Sequence, residues 1–425
     1  MAAIEVRTVE HLLGSGISWA YATKAGPWIF LNGHEAFDFA AGTPPAVAGP
    51  PGFPLFGRSK SRREGDFILE RMRRILAEFG ADFGHGVRLD QYYPNPQAVA
   101  AYHLARHAEF GDYIPPSTSV VMEGCFGAGS TISSSLIAVA PGPGRDIRKI
   151  HPQGVASAPS SGFVPAVVCD EFVFIAGQMA HNPGQGLDPR AHLPEHSAWA
   201  GTEIRLQTEF LIRHKLQPAL VAAGSSLERS LKVQIYLADT ADFPDFLDVW
   251  QQHYAGIPCA VTVVPTKSFA TRGGIIEINL LALTNDARRE KRVIEADIPY
   301  MAAYGPCIQA GEFLLPSGLM AVTTDGHVAG ASVSAGFPAL AHAGYAQAAA
   351  IYDYADALCQ AAGTSLANIL RALYFVPDPS QFAGIAMAWQ ARLGKQPHPF
   401  VAIRTPDAMP APGMALIADF WIATL

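Results

Sequence analysis

The sequence predicts an α+β fold in which one unit, a mixed β-sheet backed by two helices, occurs three times along the chain. Two observations carry this. Residues 163–283 read as one complete small domain, and a stretch inside it is echoed without a gap further on. With 425 residues and 49% hydrophobic content the chain can bury a large core, and about three domains of ordinary size are expected.

The middle unit sets the pattern. It opens with the apolar run VFIAGQ, Val173 to Gln178, which ends at the turn residues His181-Asn182-Pro183-Gly184. A helix from about Thr202 to Ala223 is stopped by Gly224. Pro218 should kink it, because proline has no N–H to return to the preceding turn. A strand (Leu231 to Leu237), a helix from about Phe243 to Tyr254, and two closing strands (Ala260 to Val264 and Gly274 to Leu283) complete the unit. β-Branched content and flanking turn residues mark these strands.

Ala361 to Phe382 lies over Ala222 to Phe243 at an offset of 139, and eight of the 22 positions are identical. Upstream, Gly311 to Gly318 parallels Asp170 to Gly177, which defines a third unit. The first unit shares the order more than the residues. Gly26 to Glu35 takes the place of the opening strand, Phe79 to Pro96 matches at an offset of 144, and Ile114 to Gly124 stands against Ile257 to Lys267. The units are expected at 1–145, 146–288 and 289–425, joined by the connectors Pro141–Arg145 and Thr284–Arg292. An insertion in the first unit, Ala41 to Pro54, is too rich in Pro and Gly for regular structure and reads as a mobile linker or a lid.

Net charge is −7, and no basic stripe is read beyond Lys60, Arg62 and Arg63, which stand beside Glu64 and Asp66. That balance argues against sequence-independent nucleic-acid binding, which needs clustered cations. Five scattered cysteines fit a reducing compartment, no apolar run is long enough to span a bilayer, and the N-terminus lacks a signal pattern. A cytoplasmic protein with no membrane partner is expected.

The segments IAGQMAHNPG (175–184), AAGSSLERSLKVQIYLADTADFPDF (222–246), GIPCAVTVVPT (256–266) and GGIIEINLLAL (273–283) resemble the Rid family, also called YjgF or L-PSP endoribonuclease. The resemblance implies a chorismate-mutase-like fold, trimers of single domains, ligand clefts between neighbouring subunits and no cofactor or metal. Three tandem copies would then make a single-chain pseudo-trimer, a monomer or homodimer in solution. The implied activity is hydrolysis of 2-imino or enamine acids to 2-keto acids and ammonia.

The family's carboxylate-binding arginine falls at Ala260, about Ser117 and about Val401, so the chain lacks it; Arg272 or Arg404 could approach a cleft from elsewhere. The family's cleft glutamate falls at Glu277, with matching positions about Ser133 and Ala418. Alternation puts Ile275, Glu277 and Asn279 on one face of an apolar strand. A carboxylate there is either a general acid/base with a raised pKa or a structural group satisfied by backbone donors. Thr262 stands where the family often has cysteine. Ser117, Ser119 and Ser133 add hydroxyls in the first unit. The family's cleft aromatic falls at Trp19, Phe163 and Tyr304, and its turn serine at Asn32, Ala176 and Ser317. His103 and His107 share one helix face without a third ligand, which suits a solvent-facing helix better than a metal site.

Taken together, these residues point to a hydrolase of a carbon–nitrogen bond in a small polar metabolite. Glu277 would move the proton, and Thr262, Arg272, Ser117, Ser119, Ser133, Trp19, Asn32, Tyr304 and Ser317 are candidates for binding. A chorismatase-like lyase/hydrolase and a non-catalytic metabolite-binding protein are the competing readings.

Overall fold

The computed structural model describes residues 4–9, 17–38, 41–50, 52, 56–155, 160–182, 184–196, 201–299, 305–331, 342–407 and 409–424. It contains three six-stranded sheets and a two-stranded ribbon. The first sheet comprises β1 (Glu5–Val9), β2 (Trp19–Ala25), β3 (Trp28–His34), β4 (Gly86–Tyr93), β5 (Ser117–Val121) and β6 (Ser133–Val139). The second comprises β7 (Arg148–Ile150), β8 (Ala166–Cys169), β9 (Phe172–Gln178), β12 (Ser230–Leu237), β13 (Ala260–Pro265) and β14 (Ile276–Leu283). The third comprises β15 (Lys291–Ile294), β16 (Cys307–Ala310), β17 (Phe313–Leu315), β18 (Ile369–Val376), β19 (Phe400–Arg404) and β20 (Ile417–Ala423). The ribbon is β10 (His181–Asn182) with β11 (Gly186–Leu187).

All three sheets have one strand order. The first runs β1-β2-β3-β6-β4-β5, the second β7-β8-β9-β14-β12-β13, and the third β15-β16-β17-β20-β18-β19. Each is mixed, because one pair is parallel: β4 with β5, β12 with β13, β18 with β19. A parallel pair needs a crossover, and a helix supplies it each time: Pro96–Phe110, Phe243–Tyr254 and Phe382–Leu393. A second helix precedes each middle strand, at Lys60–Glu78, at Glu203–Ala223 and at Ala343–Ala361.

Two helices show how the sequence acts locally. Glu203–Ala223 is α-helical except at Ile212–Leu216, a π-helical turn that ends two residues before Pro218. The missing N–H of Pro218 leaves the ladder short of a donor there, and the wider turn absorbs the defect. Gly224 ends the helix with φ 77°, a left-handed cap that glycine takes without strain. The insertion differs from expectation. Pro45–Ala48 forms one helical turn with proline in its first turn, and Arg63 Nε donates to the Val47 carbonyl at 2.8 Å. Residues 51 and 53–54 of that insertion lie outside the described set.

The outer face of each sheet packs on its own two helices, in three separate apolar cores. The inner faces meet one another. Trp28, Phe172, Phe313 and Trp421 pack in edge-to-face and tilted pairs at 5.3–5.4 Å, drawing one or two rings from every sheet. A second shared cluster gathers Tyr92, Tyr236, Phe375 and Val401.

Between these two layers runs a buried charged belt. Arg88, Lys232 and Arg371 come from the three middle strands. Asp90 accepts from Arg88 at 3.0 Å and Arg371 at 2.7 Å, and Asp419 pairs with Lys232 at 3.2 Å. Burial pushes the Asp90 carboxyl up, but Arg88 and Arg371 outweigh it and hold the group below the ordinary range. Burying a charge is costly unless it is paired, and the Arg371–Asp90 and Lys232–Asp419 pairs each join two different sheets.

No helix among the described residues is long and apolar enough to cross a membrane. The five cysteines are unpaired and buried, and the described residues contain no group of three or more potential metal ligands.

Candidate functional site

The sheets meet head to tail, so the molecule has three seams. Each places the parallel strand of one sheet beside the opening hairpin of the next. β5 lies against β9. The Val261 carbonyl on β13 accepts from the Gly318 N–H at 2.9 Å. β19 lies against β3, with Gly33 under Val401.

The seam between the first and second sheets holds a cavity of about 840 Å³. One wall is the helix Pro96–Phe110 with Ser117 and Ser119 of β5. The other is Gly177, Met179, Glu277 and the loop carrying Arg272.

Glu277 pairs across the sheet with Tyr236, and its neighbours Ile276 and Ile278 turn into the helix-side core. Strand alternation therefore sends its carboxyl to the seam. Gly177 makes room for it: a Cβ added there would lie 1.9 Å from Glu277 Oε1. Burial raises the Glu277 pKa to about 8, offset in part by the Ser119 backbone N–H. The group is therefore mostly protonated at neutral pH, and it can lose that proton within the working range.

His103 also lines the cavity. It is only 8% exposed, which overturns the reading of its helix face as solvent-facing. Burial first, then Arg106 and His107, pushes its pKa down to about 3, so the ring is neutral. Its Nε2 has no hydrogen-bond partner. His107 Nε2 sits 3.2 Å from the Ser160 carbonyl, and Arg272 stands exposed at the rim.

Ser117 and Ser119 reach the cavity by a different geometry from the one expected. Leu89 pairs with Ser117 where Val233 pairs with Val261, so Thr118, not Ser119, is the counterpart of Thr262. The serines thus stand on the helix side of β5. There Gln91 Nε2 donates to the hydroxyls of both, at 3.0 Å for Ser119.

Glu277, Arg272, Ser117 and Ser119 are therefore brought together, and six other candidates are not. Thr262 Oγ1 donates to Asp419 at 2.5 Å, inside the charged belt. Ser317 Oγ donates to the Pro306 carbonyl and accepts from the Val261 N–H, tying the second seam. Trp19 Nε1 donates to the Phe400 carbonyl at 3.1 Å, and Asn32 Nδ2 donates to the Leu370 carbonyl at 3.1 Å, both at the third seam. Ser133 is buried beside Glu35, the carboxyl that accepts from the Phe126 and Gly127 N–H groups. Tyr304 lies outside the described residues. Arg404 is exposed and donates to the Pro377 carbonyl, away from the cavity.

The other seams carry different residues at corresponding places. Tyr92 pairs with Ser133 and Phe375 with Ile417 where Tyr236 pairs with Glu277. The third-sheet counterpart of Glu277 is thus Ile417, one residue before the expected Ala418. Eleven residues before Ser117, Val261 and Phe400 stand Arg106, Trp250 and Trp389. Arg106 was not singled out in the sequence. The available signal was a cation at i+4 from Tyr102 and four before Phe110, in the buried stripe of an apolar helix.

Comparison with known proteins places the likeness on the middle of the chain. Residues 154–284 match the family described as Endoribonuclease L-PSP. A curated relative, 2-iminobutanoate/2-iminopropanoate deaminase of Bos taurus, is 26% identical over 137 residues, 32% of this chain and 90% of that protein. Among solved structures, RidA from the Antarctic bacterium Psychrobacter is 22% identical, with a TM-score of 0.27 over 32% of this chain and 98% of that one. Yeast Mmf1 is 20% identical, also with a TM-score of 0.27, over 33% of this chain and 99% of its own.

Proposed function

We propose that the chain is a tandem of three Rid-like units closed into a pseudo-trimer, and that the seam between its first and second sheets hydrolyses a carbon–nitrogen bond of a small polar metabolite. The observation that carries this reading is Glu277: a buried carboxyl with a raised pKa, seated over Gly177 at the floor of an open cavity. The relative named as an imine deaminase supports the same class of chemistry.

In this reading the substrate is an imine, enamine or amide. The proton on Glu277 passes to the nitrogen of an imine or amide, or to the β-carbon of an enamine. The carboxylate left behind draws a proton from the attacking water as the C–O bond forms. Glu277, protonated again, gives that proton to the nitrogen of the adduct and takes the hydroxyl proton as the C–N bond breaks, so a carbonyl compound and ammonia (or an amine) leave and Glu277 ends protonated. Ser117, Ser119 and the neutral His103 offer hydrogen bonds around the reacting atoms, and Arg272 guards the rim. One chain supplies every wall, so its mass in solution should equal that of one or two chains.

The test is ammonia release from a panel of imines, enamines and amides, comparing wild type with Glu277→Gln. General acid–base assistance is worth about 100- to 10,000-fold. The variant should therefore stay folded and bind ligand while its turnover falls about 100-fold or more. Near-native turnover in Glu277→Gln would make Glu277 structural. Tight binding without ammonia release in wild type would make the protein a metabolite binder.

A further inference from the structure

The first-seam cavity is larger and more apolar than a ligand of a few atoms needs. Its volume of about 840 Å³ lies within the range of sites that enclose drug-sized molecules, about 300–1,000 Å³. Val99 and Leu104 of the helix Pro96–Phe110 line it, with Phe163, Met179 and Phe269. Leu104 is 63% exposed, so this lining is left for a ligand of hydrocarbon character to cover.

His103 sits in the same lining, one helical turn from Val99 and from His107. The Ser160 carbonyl bonds to its ring, and a carbonyl can only accept. A neutral imidazole carries one N–H and one bare nitrogen, so that bond uses its single donor. For the bare nitrogen the described residues offer no donor. The other polar side chains of this wall are engaged. Ser117 and Ser119 accept from Gln91, Arg106 behind them donates to Gln91 and Ser117, and His107 meets the Ser160 carbonyl. A buried acceptor without a donor is costly, and a site that keeps one generally receives the donor from its ligand. Glu277 stands on the opposite wall.

We infer that His103 is a specificity-determining residue of the first seam: its bare ring nitrogen accepts a hydrogen bond from a hydroxyl or N–H group on a substrate whose body is apolar and ring-sized. This deepens the proposed function and rests on the cavity being the substrate site. The donor is separate from the nitrogen that leaves, and His103 holds it without moving a proton.

The experiment is calorimetric binding of three uncharged probes to the full chain: 4-hydroxybenzamide, 4-methylbenzamide and acetamide. Hydroxyl and methyl are close in size, so the first two differ chiefly in the donor. Wild type should bind 4-hydroxybenzamide at least about threefold more tightly than 4-methylbenzamide, as one neutral hydrogen bond allows. Both should bind at least about tenfold more tightly than acetamide, because the ring buries apolar surface. His103→Phe keeps a ring and removes the acceptor, so the hydroxyl preference should vanish while 4-methylbenzamide still binds within about twofold of wild type. His103→Gln, which restores an acceptor, should keep part of the preference. Should His103→Phe fail to fold, His103→Leu carries the test. Equal binding of the hydroxyl and methyl probes to wild type would mean that water satisfies the ring, and would overturn the assignment. So would an undiminished preference in folded His103→Phe, or ring probes that bind no more tightly than acetamide or not at all. Turnover separates this claim from the one it rests on: the hydroxyl preference should persist in Glu277→Gln, where turnover is lost. A preference that depends on His103, in a protein that releases no ammonia from any imine, enamine or amide, would sink the hydrolytic reading and spare the recognition. Ammonia release without a hydroxyl preference would do the reverse.

Discussion

At the seam between the first and second sheets, Ser117 and Arg106 stand across a cavity from Glu277. At the seam between the third and first, the matching residues are Phe400, Trp389 and Ser133. There the space is filled by rings: Trp389 stacks on His398 at 4.1 Å, and Phe382 lies 4.5 Å from Phe400. Backbone geometry is shared, and even the glycine of the hairpin strand recurs, as Gly177 and Gly33. What differs is side-chain volume and charge. Packed rings contribute stability, whereas the first seam gives up that packing and leaves a protonated carboxyl facing an open cavity. Three sheets of one strand order in a single chain can differ in this way at each seam.

The sharpest way to break the comparison is to disturb the carboxyl without touching it. Gly177→Ala would put a methyl against Glu277 Oε1 and force the carboxyl away. Turnover should fall about 100-fold, as for loss of the acid itself, with far-ultraviolet circular dichroism unchanged. Activity within about threefold of wild type would mean that the position of Glu277 is not critical.

A second change separates stability from activity. Trp389→Ala empties the third seam and should cost about 3–5 kcal/mol of stability in denaturant titration, while the first seam keeps its turnover below the melting temperature. A specific loss of turnover in the folded variant would show that the seams are not independent. The smallest effect is expected at Thr262. Thr262→Val removes one hydrogen bond to Asp419, which keeps Lys232 and Gln234 as partners. The cost should be about 1–3 kcal/mol, with kcat unaltered, because Thr262 stands in the charged belt and away from the cavity.

Much of the architecture was legible because it rests on local signals. Gly224 and Pro218 act within a turn, and the strands of the middle unit carry their own β-branched runs. The echo between 222–243 and 361–382 led to the third sheet. Register was not legible. Equating Ser117 with Ala260 is wrong by one residue, and in a strand one residue reverses the face. For that reason Ser117 and Ser119 entered the site from the helix side, and Thr262 left it. The contact of Glu277 with the first sheet joins residues about 160 apart, such as Asn279 with Thr118. No local pattern encodes such a pairing. Arg106 was hidden for a related reason: its polar partners Gln91 and Ser117 sit on two other strands.

The most direct test of the central claim is the pH dependence of kcat/KM for the best ammonia-releasing substrate. In the proposed mechanism Glu277 acts in its protonated form, and burial places its pKa at about 8. Below that pH the acid is available; as pH rises through it the proton is lost, and the donor with it. The account predicts a rate that falls along a single-proton limb centred near pH 8, and that limb should be absent from the residual activity of Glu277→Gln. A flat profile from pH 6 to 9, or an unchanged limb in the variant, would contradict it.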